Sequence, residues 1–230
     1  MGLLYEEKVP SNRTEFVAKV KDISSKLSIE PNWLMAIMWS ESKFSPSVSN
    51  IQCVKDTGNA SSCATGLIQF MPSTAQGLGT NIDSLKNMSN VQQLDYVYKY
   101  FYPYRNRITK FSDLYLVNFY PYAIGKPDTY VFGSERSEEL AKKIARQNSG
   151  MDINKDGKVT MADYKQWLAQ KHPELIVGDE KGKPIIEQEV STTVKAEKYA
   201  KRNWLLIGVI MILIGLSIIF FYKYSQKTKK

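Results

Sequence analysis

The chain has 230 residues, of which 43% are hydrophobic, and a net charge of +8. This length suits one compact domain with appendages and excludes two large domains. Residues 195–230 hold eight basic side chains and one acidic side chain, so the rest of the chain is nearly neutral. A nearly neutral body with a basic tail argues against a nucleic-acid-binding groove and favours a charged flank beside a membrane.

Apolar residues that recur at three- and four-residue steps predict a mainly α-helical body. The predicted helices cover residues 14–27, Pro31 to Glu41, a short segment from Pro72, 91–101, 114–120 and 138–147. Residues 45–65 are rich in Ser, Asn and Gly and predict a long loop or a small hairpin. Residues 174–202 are polar and charged, which indicates a flexible linker.

An uncharged segment near the C-terminus predicts a membrane anchor. Residues 204–222 are dominated by Ile, Leu, Val and Phe, and at helical rise they span about the ~30 Å of a bilayer core. Trp204 and Tyr222 stand where an aromatic belt is expected. We therefore expect a transmembrane helix at residues 203–223 in contact with the lipid bilayer, followed by a basic tail at 224–230. Basic residues flank both ends equally, so the orientation stays open.

The N-terminal sequence lacks a basic segment followed by an apolar run, so we expect no cleavable secretory signal. Together with the predicted anchor, this describes a single-pass, tail-anchored membrane protein. Two locations fit such a protein: the envelope of a bacterium, or the membrane of a phage virion that contains lipid. In either place, neighbouring envelope or virion proteins are candidate partners.

The two cysteines of the chain, Cys53 and Cys63, lie ten positions apart in one predicted loop. In an oxidising compartment they would form a local disulfide. In a reducing compartment they would remain two thiols. The sequence leaves both alternatives open.

Glu41 closes the apolar face of the second predicted helix, together with Leu34, Ile37 and Met38. Burial disfavours the charged form of a carboxyl group and raises its pKa. A raised pKa is what a general acid needs to protonate a glycosidic oxygen near neutral pH. The alternative is a solvated, inert glutamate at the end of a helix.

Two segments around Glu41 resemble the paired signature of the soluble lytic transglycosylases (SLT) of the lysozyme superfamily: Glu41-Ser42-Lys43-Phe44 and Gly66-Leu67-Ile68-Gln69-Phe70. The resemblance implies a lysozyme-like, goose-type or SLT helical domain at residues 1–132. It further implies that Glu41 is the only catalytic acid/base and that no cofactor is needed for catalysis. By the same resemblance, the residues that line the sugar cleft are Ser42, Gly66, Leu67, Ile68 and Gln69.

A third motif of that family, Tyr-Asn-x-Gly, is altered in this chain. Tyr122 precedes Gly125 by the expected three positions, but Ala123 stands in place of Asn. Tyr120 competes for the same assignment. The resemblance therefore implies that Tyr120 or Tyr122 contacts the substrate, while ordinary packing of both tyrosines remains open.

The activity implied by the resemblance is cleavage of the β-1,4 bond between N-acetylmuramic acid and N-acetylglucosamine in peptidoglycan, with a 1,6-anhydro-muramyl end as product. One alternative is a hydrolytic muramidase similar to goose-type lysozymes, in which Asp56 activates water. A second alternative is a non-catalytic wall-binding or structural virion protein. His172 lies outside the predicted domain, so Ser-His catalysis is not expected.

A second motif, between residues 152 and 163, predicts a calcium site. Its oxygen ligands fall at the EF-hand positions, with Gly157 at the sharp turn. The predicted ligands are Asp152, Asn154, Asp156, the Lys158 carbonyl, Thr160 and Asp163. Asp163 replaces the usual Glu. We expect a structural Ca²⁺ in a helical extension at residues 133–173, and solvated loop acids are the alternative.

Overall fold

Ten α-helices build residues 2–176, the part of the chain that the computed structural model describes. In chain order they are α1 (Arg13–Leu27), α2 (Pro31–Ser42), α3 (Ile51–Thr57), α4 (Pro72–Gly77), α5 (Ile82–Lys86), α6 (Asn90–Phe101), α7 (Phe111–Phe119), α8 (Glu138–Gln147), α9 (Met161–Lys171) and α10 (Pro173–Ile176). Short 3-10 turns and isolated β-bridges join them, and no β-strand forms within this range. The predicted mainly α-helical fold is confirmed.

Local sequence signals place several of these helix starts. Pro31 occupies the first turn of α2, where its missing N–H is not needed. Ser89 and Gln92 form a capping box at the start of α6, and Ser137 caps α8 by accepting a hydrogen bond from the backbone N–H of Leu140. These helices begin within two residues of their predicted positions.

The prediction of a loop or hairpin over residues 45–65 was wrong in part, because the segment contains α3. The Asn50 side chain caps this helix by accepting a hydrogen bond from the Cys53 N–H at 2.9 Å. A disulfide joins Cys53 to Cys63 and closes the segment on itself. Of the two alternatives for the cysteines, the structure has the disulfide.

The central helix of the fold is α2. All five residues from Leu34 to Met38 are buried, so this helix is apolar on every side. It packs against α1 and α7, and α1 packs in turn against α6. Glu41 lies in the last turn of α2 and is therefore held by a helix whose middle is fully buried.

The extension that contains α8 and α9 packs on the rest of the described structure. Met161, Tyr164 and Leu168 of α9 belong to the same buried cluster as α2. The hydroxyl of Tyr164 donates a hydrogen bond to the Ser112 carbonyl of α7 at 2.8 Å. The extension therefore has a fixed position against α7.

Most of the predicted linker, the predicted transmembrane helix at 203–223 and the basic tail at 224–230 lie outside the described residues. Among residues 2–176, no helix has the length and apolar character needed to cross a membrane.

Candidate active site

The Glu41 side chain is half-buried at the end of α2. Its Oε2 atom is buried and accepts no hydrogen bond from any described residue. A buried carboxyl oxygen without a hydrogen-bond partner is costly in a folded protein, and a functional role is one explanation for it. Burial raises the pKa of Glu41 above its usual value, so the carboxyl keeps its proton to higher pH.

Two lysines oppose this effect of burial on Glu41. The positive charge of Lys171, at the end of α9, lowers the Glu41 pKa most strongly, and Lys43 lowers it as well. Lys43 lies over the ring of Trp39, with its Nζ 4.3 Å from the ring centroid. Burial in turn lowers the pKa of Lys171 to about 8. The site therefore combines one carboxyl group with two partly desolvated ammonium groups.

The predicted cleft segment from Gly66 to Gln69 is tied to the catalytic helix by Ser42. The Ser42 hydroxyl donates to the Leu67 carbonyl at 3.0 Å, although it also lies 3.1 Å from the Met38 carbonyl of its own helix. The Gln69 side chain donates to the Gly66 carbonyl at 3.1 Å. Leu67 is fully buried, so it packs in the core and holds the segment in place.

Three residues other than glycine adopt left-handed backbone conformations near Glu41 and Gln69. They are Lys43 with φ 54°, Phe44 with φ 62° and Gln69 with φ 56°. Such conformations are unfavourable for residues with a Cβ atom and accumulate at functional sites, where the surrounding structure maintains them. Their clustering marks this region as a candidate active site.

A small pocket opens to solvent beside the Gly66–Gln69 segment. Its lining residues are Ile68, Gln69, Phe70, Met71, Thr74, Tyr100 and Asn118. Burial raises the pKa of Tyr100, and the charges of Tyr104 and Glu41 raise it further. The predicted residues Ile68 and Gln69 thus line a pocket that opens to solvent.

Residues 19–108 match the family model described as the transglycosylase SLT domain. The chain therefore carries an SLT domain of the lysozyme-like superfamily. At the level of the family, this domain indicates lytic transglycosylase-type activity on peptidoglycan. The matched region includes Glu41 and Gln69 and ends before α7. No curated protein and no solved structure matches the chain.

Tyr115 is affected by the charge of Glu41 and was not predicted from the sequence. Burial raises its pKa well above the usual value, and the charge of Glu41 raises it further. Its hydroxyl accepts a hydrogen bond from Lys171 Nζ. Tyr115 occurs in the apolar run of α7, where nothing in the periodicity separates it from ordinary core residues.

The two tyrosines predicted from the altered third motif have other partners. The Tyr120 hydroxyl donates to Glu135 at 2.5 Å, and Tyr130 donates to the other oxygen of the same carboxylate. The Tyr122 side chain is half-exposed, and Lys126 lies over its ring. Among the described residues, the tyrosines whose pKa responds to Glu41 are instead Tyr100 and Tyr115.

Asp56, the candidate water-activating residue, is exposed on α3. Its Oδ1 atom accepts a hydrogen bond from the Gln52 side chain at 2.7 Å. The charges that act on the Glu41 carboxyl within the described residues are those of Lys171 and Lys43, and Asp56 is not among them. Asp56 thus lies on the exposed side of α3, with Gln52 as its hydrogen-bond partner.

The predicted calcium loop connects α8 and α9. Gly157 has φ 81°, which provides the sharp turn at the sixth position. Asp152 and Asp156 accept hydrogen bonds from backbone N–H groups of the loop, and Asp163 accepts one from the Thr160 N–H at 2.9 Å. Within residues 2–176, no three His, Cys, Asp or Glu residues form a group that could hold a metal ion. A calcium ion at this loop would therefore depend on neutral oxygens as well as on carboxylates.

His172 lies outside the SLT domain in sequence, but its side chain contacts a residue of that domain. Its Nε2 is 3.1 Å from Ser40 Oγ, and its Nδ1 is 3.3 Å from Glu174 Oε1. The three side chains have the order of a Ser-His-Glu relay. However, Ser40 lies inside α2, where the neighbouring backbone N–H groups make helical hydrogen bonds and do not form an oxyanion hole. The contact therefore anchors the end of α9 to α2.

Proposed function

We propose that the protein is a peptidoglycan lytic transglycosylase that cleaves the β-1,4 bond between N-acetylmuramic acid and N-acetylglucosamine, with Glu41 as its single acid/base. The observation that carries this proposal is the buried Oε2 atom of Glu41, which has no hydrogen-bond partner among residues 2–176. The raised pKa of this carboxyl group and the pocket that Tyr100 shares with Gln69 support it.

The reaction uses one carboxyl group twice. Protonated Glu41 gives its proton to the glycosidic oxygen as the bond between that oxygen and C1 of the muramyl residue breaks. The resulting carboxylate then accepts the proton of the C6 hydroxyl of the same sugar, while O6 bonds to C1. The product is a 1,6-anhydro ring, no water is consumed, and Glu41 returns to its protonated state.

The hydrolytic alternative requires a second carboxylate to activate water. Asp56 is exposed and hydrogen-bonded to Gln52, which favours the one-carboxylate reaction. Digestion of purified peptidoglycan by the full chain in detergent, followed by mass spectrometry of the sugar ends, tests the proposal. We expect anhydro-muramyl ends from the wild type and none from Glu41→Gln. Reducing ends would instead support hydrolysis, and binding without cleavage would support a non-catalytic wall-binding protein.

We also propose that the loop from Asp152 to Asp163 binds Ca²⁺ as a structural ion. The positive φ of Gly157 and the oxygen donors at the EF-hand positions support this proposal. The expected result is that Ca²⁺ raises the Tm of the wild type and not that of Asp156→Asn. Lys155→Gln is the matched control, because it changes the same loop at a position that provides no ligand. An unchanged Tm in the wild type would contradict the proposal.

We further propose that residues 203–223 anchor the protein in a lipid bilayer, in a bacterial envelope or a phage virion. The support is the apolar character of this segment in the sequence. The full chain should remain in the membrane pellet after alkaline extraction, whereas a chain truncated after residue 202 should not. Release of both chains would contradict the anchor.

A further inference from the structure

The end of α9 reaches the catalytic end of α2 through two adjacent residues. His172 contacts Ser40 at 3.1 Å. The preceding residue, Lys171, contributes the largest opposing charge at Glu41, the residue that follows Ser40. His172 of the extension thus contacts α2, and the charge of its neighbour Lys171 acts on Glu41 of the same helix. Both extension residues lie beyond residue 108, where the match to the SLT domain ends.

The ammonium group of Lys171 is held in place by aromatic side chains. Its Nζ donates a hydrogen bond to the Tyr115 hydroxyl and lies 4.9 Å from the centroid of the Tyr115 ring. It also lies 4.8 Å from the centroid of the Trp167 ring. Within residues 2–176, no carboxylate lies in ion-pair contact with Lys171, and the acid whose charge acts on it is Glu41.

Four titratable or charged groups from different parts of the fold interact electrostatically with Glu41. The groups are Lys171 from α9, Lys43 after α2, Tyr115 from α7 and Tyr100 from α6. Both tyrosines have raised pKa values, chiefly through burial, and remain neutral at physiological pH. Lys43 directly follows α2 and lies over the ring of Trp39 in the same helix. Of the two lysines, Lys171 is therefore the one that the extension provides.

We propose that the extension completes the active site, with Lys171 as a positioning residue whose ammonium group stabilises the Glu41 carboxylate during the reaction. The inference rests on the proposed function, in which Glu41 gives up one proton and then takes up another. When Glu41 has given its proton to the leaving oxygen, a carboxylate remains in a site that has lost much of its contact with water. A fixed positive charge lowers the free energy of that state more than the free energy of the protonated state.

The test compares Lys171→Gln, Lys171→Arg and the matched control Lys165→Gln. Lys165 lies on the same helix and forms an ion pair with Asp128. The Lys165→Gln variant therefore removes a positive charge from α9 at a position that is distant from the site. For Lys171→Gln we expect kcat for glycan cleavage to fall roughly tenfold or more, since one pKa unit of lost stabilisation corresponds to a factor of ten. We expect Lys171→Arg to restore most of the activity and Lys165→Gln to match the wild type.

The pH profile separates an electrostatic role from a structural one. Without the positive charge, Glu41 keeps its proton to higher pH, so the alkaline limb of the Lys171→Gln profile should move upward. In Lys171→Arg the limb should stay at or below its wild-type position. A lower Tm for Lys171→Gln with an unmoved limb and an unchanged kcat would overturn the inference.

A titration of the Glu41 carboxyl carbon by NMR does not depend on cleavage. In the wild type, the carboxyl signal, assigned by its absence in Glu41→Gln, should shift near pH 8, where Lys171 loses its charge. Absence of this shift would overturn the role of Lys171 even in an active enzyme. Its presence in a protein that does not cleave glycan would support the coupling while contradicting the proposed function.

Discussion

Ser40 Oγ lies 3.1 Å from His172 Nε2, although the two residues are 132 positions apart in the chain. This contact fixes the end of the extension against the last turn of α2. The tautomer with a proton on Nδ1 allows His172 to donate to Glu174 and to accept from Ser40. A buried, neutral imidazole therefore connects the extension to the catalytic helix.

Acidification should weaken this connection. Burial lowers the pKa of His172 below its usual value of 6.5, so below that pH the unfolded chain binds more protons than the native state. The stability that His172 contributes is present above pH 6.5 and is lost as the pH falls toward the lower, native pKa. We expect the Tm of the wild type to fall over this range and that of His172→Gln to fall less.

Ser40→Ala is the matched control for that measurement. This variant loses one hydrogen bond, at a cost of about 1 kcal/mol, but it retains the titrating imidazole. Its Tm should be lower than that of the wild type with the same dependence on pH. If His172→Gln and the wild type show the same pH dependence, His172 is not the group responsible.

Replacement of Glu41, the proposed acid/base, should stabilise the protein. Burial raises the pKa of Glu41, so its contribution to stability is present below the unfolded pKa and is lost as the pH rises through the native pKa. Glu41→Gln cannot ionise. We expect its Tm to exceed that of the wild type at pH 7 by about 2–4 °C for each kcal/mol relieved, and to approach the wild-type value near pH 4.

Glu30→Gln is the control for Glu41→Gln, because Glu30 is exposed at the other end of α2. Its Tm should follow that of the wild type across the same pH range. An equal gain in both variants would indicate a general effect of the net charge and would contradict the specific effect of burial at Glu41.

Local patterns in the sequence predicted the elements that carry the site, whereas the partners of Glu41 come from distant parts of the chain. Glu41 and the Gly66–Gln69 segment follow from helical periodicity and from a motif, both of which are local. Lys171 occurs at the end of an ordinary amphipathic helix, and only the packing of α9 against α7 brings it to Glu41. No single-sequence pattern records a contact over that separation.

The missed helix α3 has a similar explanation. Its sequence is short and polar, and an isolated helix of seven residues is not stable in water. The cap provided by Asn50 and the disulfide between Cys53 and Cys63 stabilise it in the folded chain. The sequence contained both cysteines, but their pairing depends on the compartment as well as on the fold.

Removal of the disulfide should destabilise the protein without changing the catalytic groups. A loop whose ends, Cys53 and Cys63, are ten positions apart restricts the unfolded chain by about 2–3 kcal/mol when it is closed. We expect the double variant Cys53→Ser, Cys63→Ser to unfold at a lower urea concentration, with its free energy of unfolding reduced by that amount. A reductant should have the same effect on the wild type and none on the variant. Equal stability of the wild type with and without reductant would contradict this expectation.

The Gly66 position should tolerate no side chain, because the fully buried amide of Gln93 lies against it. Gln93 accepts a hydrogen bond from the Leu67 N–H at 2.9 Å and donates to the carbonyls of Pro46 and Leu85 at 2.6 and 2.7 Å. A Cβ atom at Gly66 would lie 2.4 Å from Gln93 Oε1. The substitution Gly66→Ala would therefore displace the side chain that holds the cleft segment.

Gly79→Ala separates this displacement from backbone strain. Gly79 has φ 78°, close to the 81° of Gly66, but a Cβ atom there would meet nothing within 4 Å. We expect Gly79→Ala to cost about 1–2 kcal/mol, the penalty of a left-handed conformation. Gly66→Ala should cost about 2–4 kcal/mol more, since the hydrogen bonds of Gln93 are also disturbed. Equal losses of unfolding free energy in the two variants, measured by urea denaturation, would mean that Gln93 moves without cost. In that case Ser42 and the core packing of Leu67 would be sufficient to hold the cleft segment.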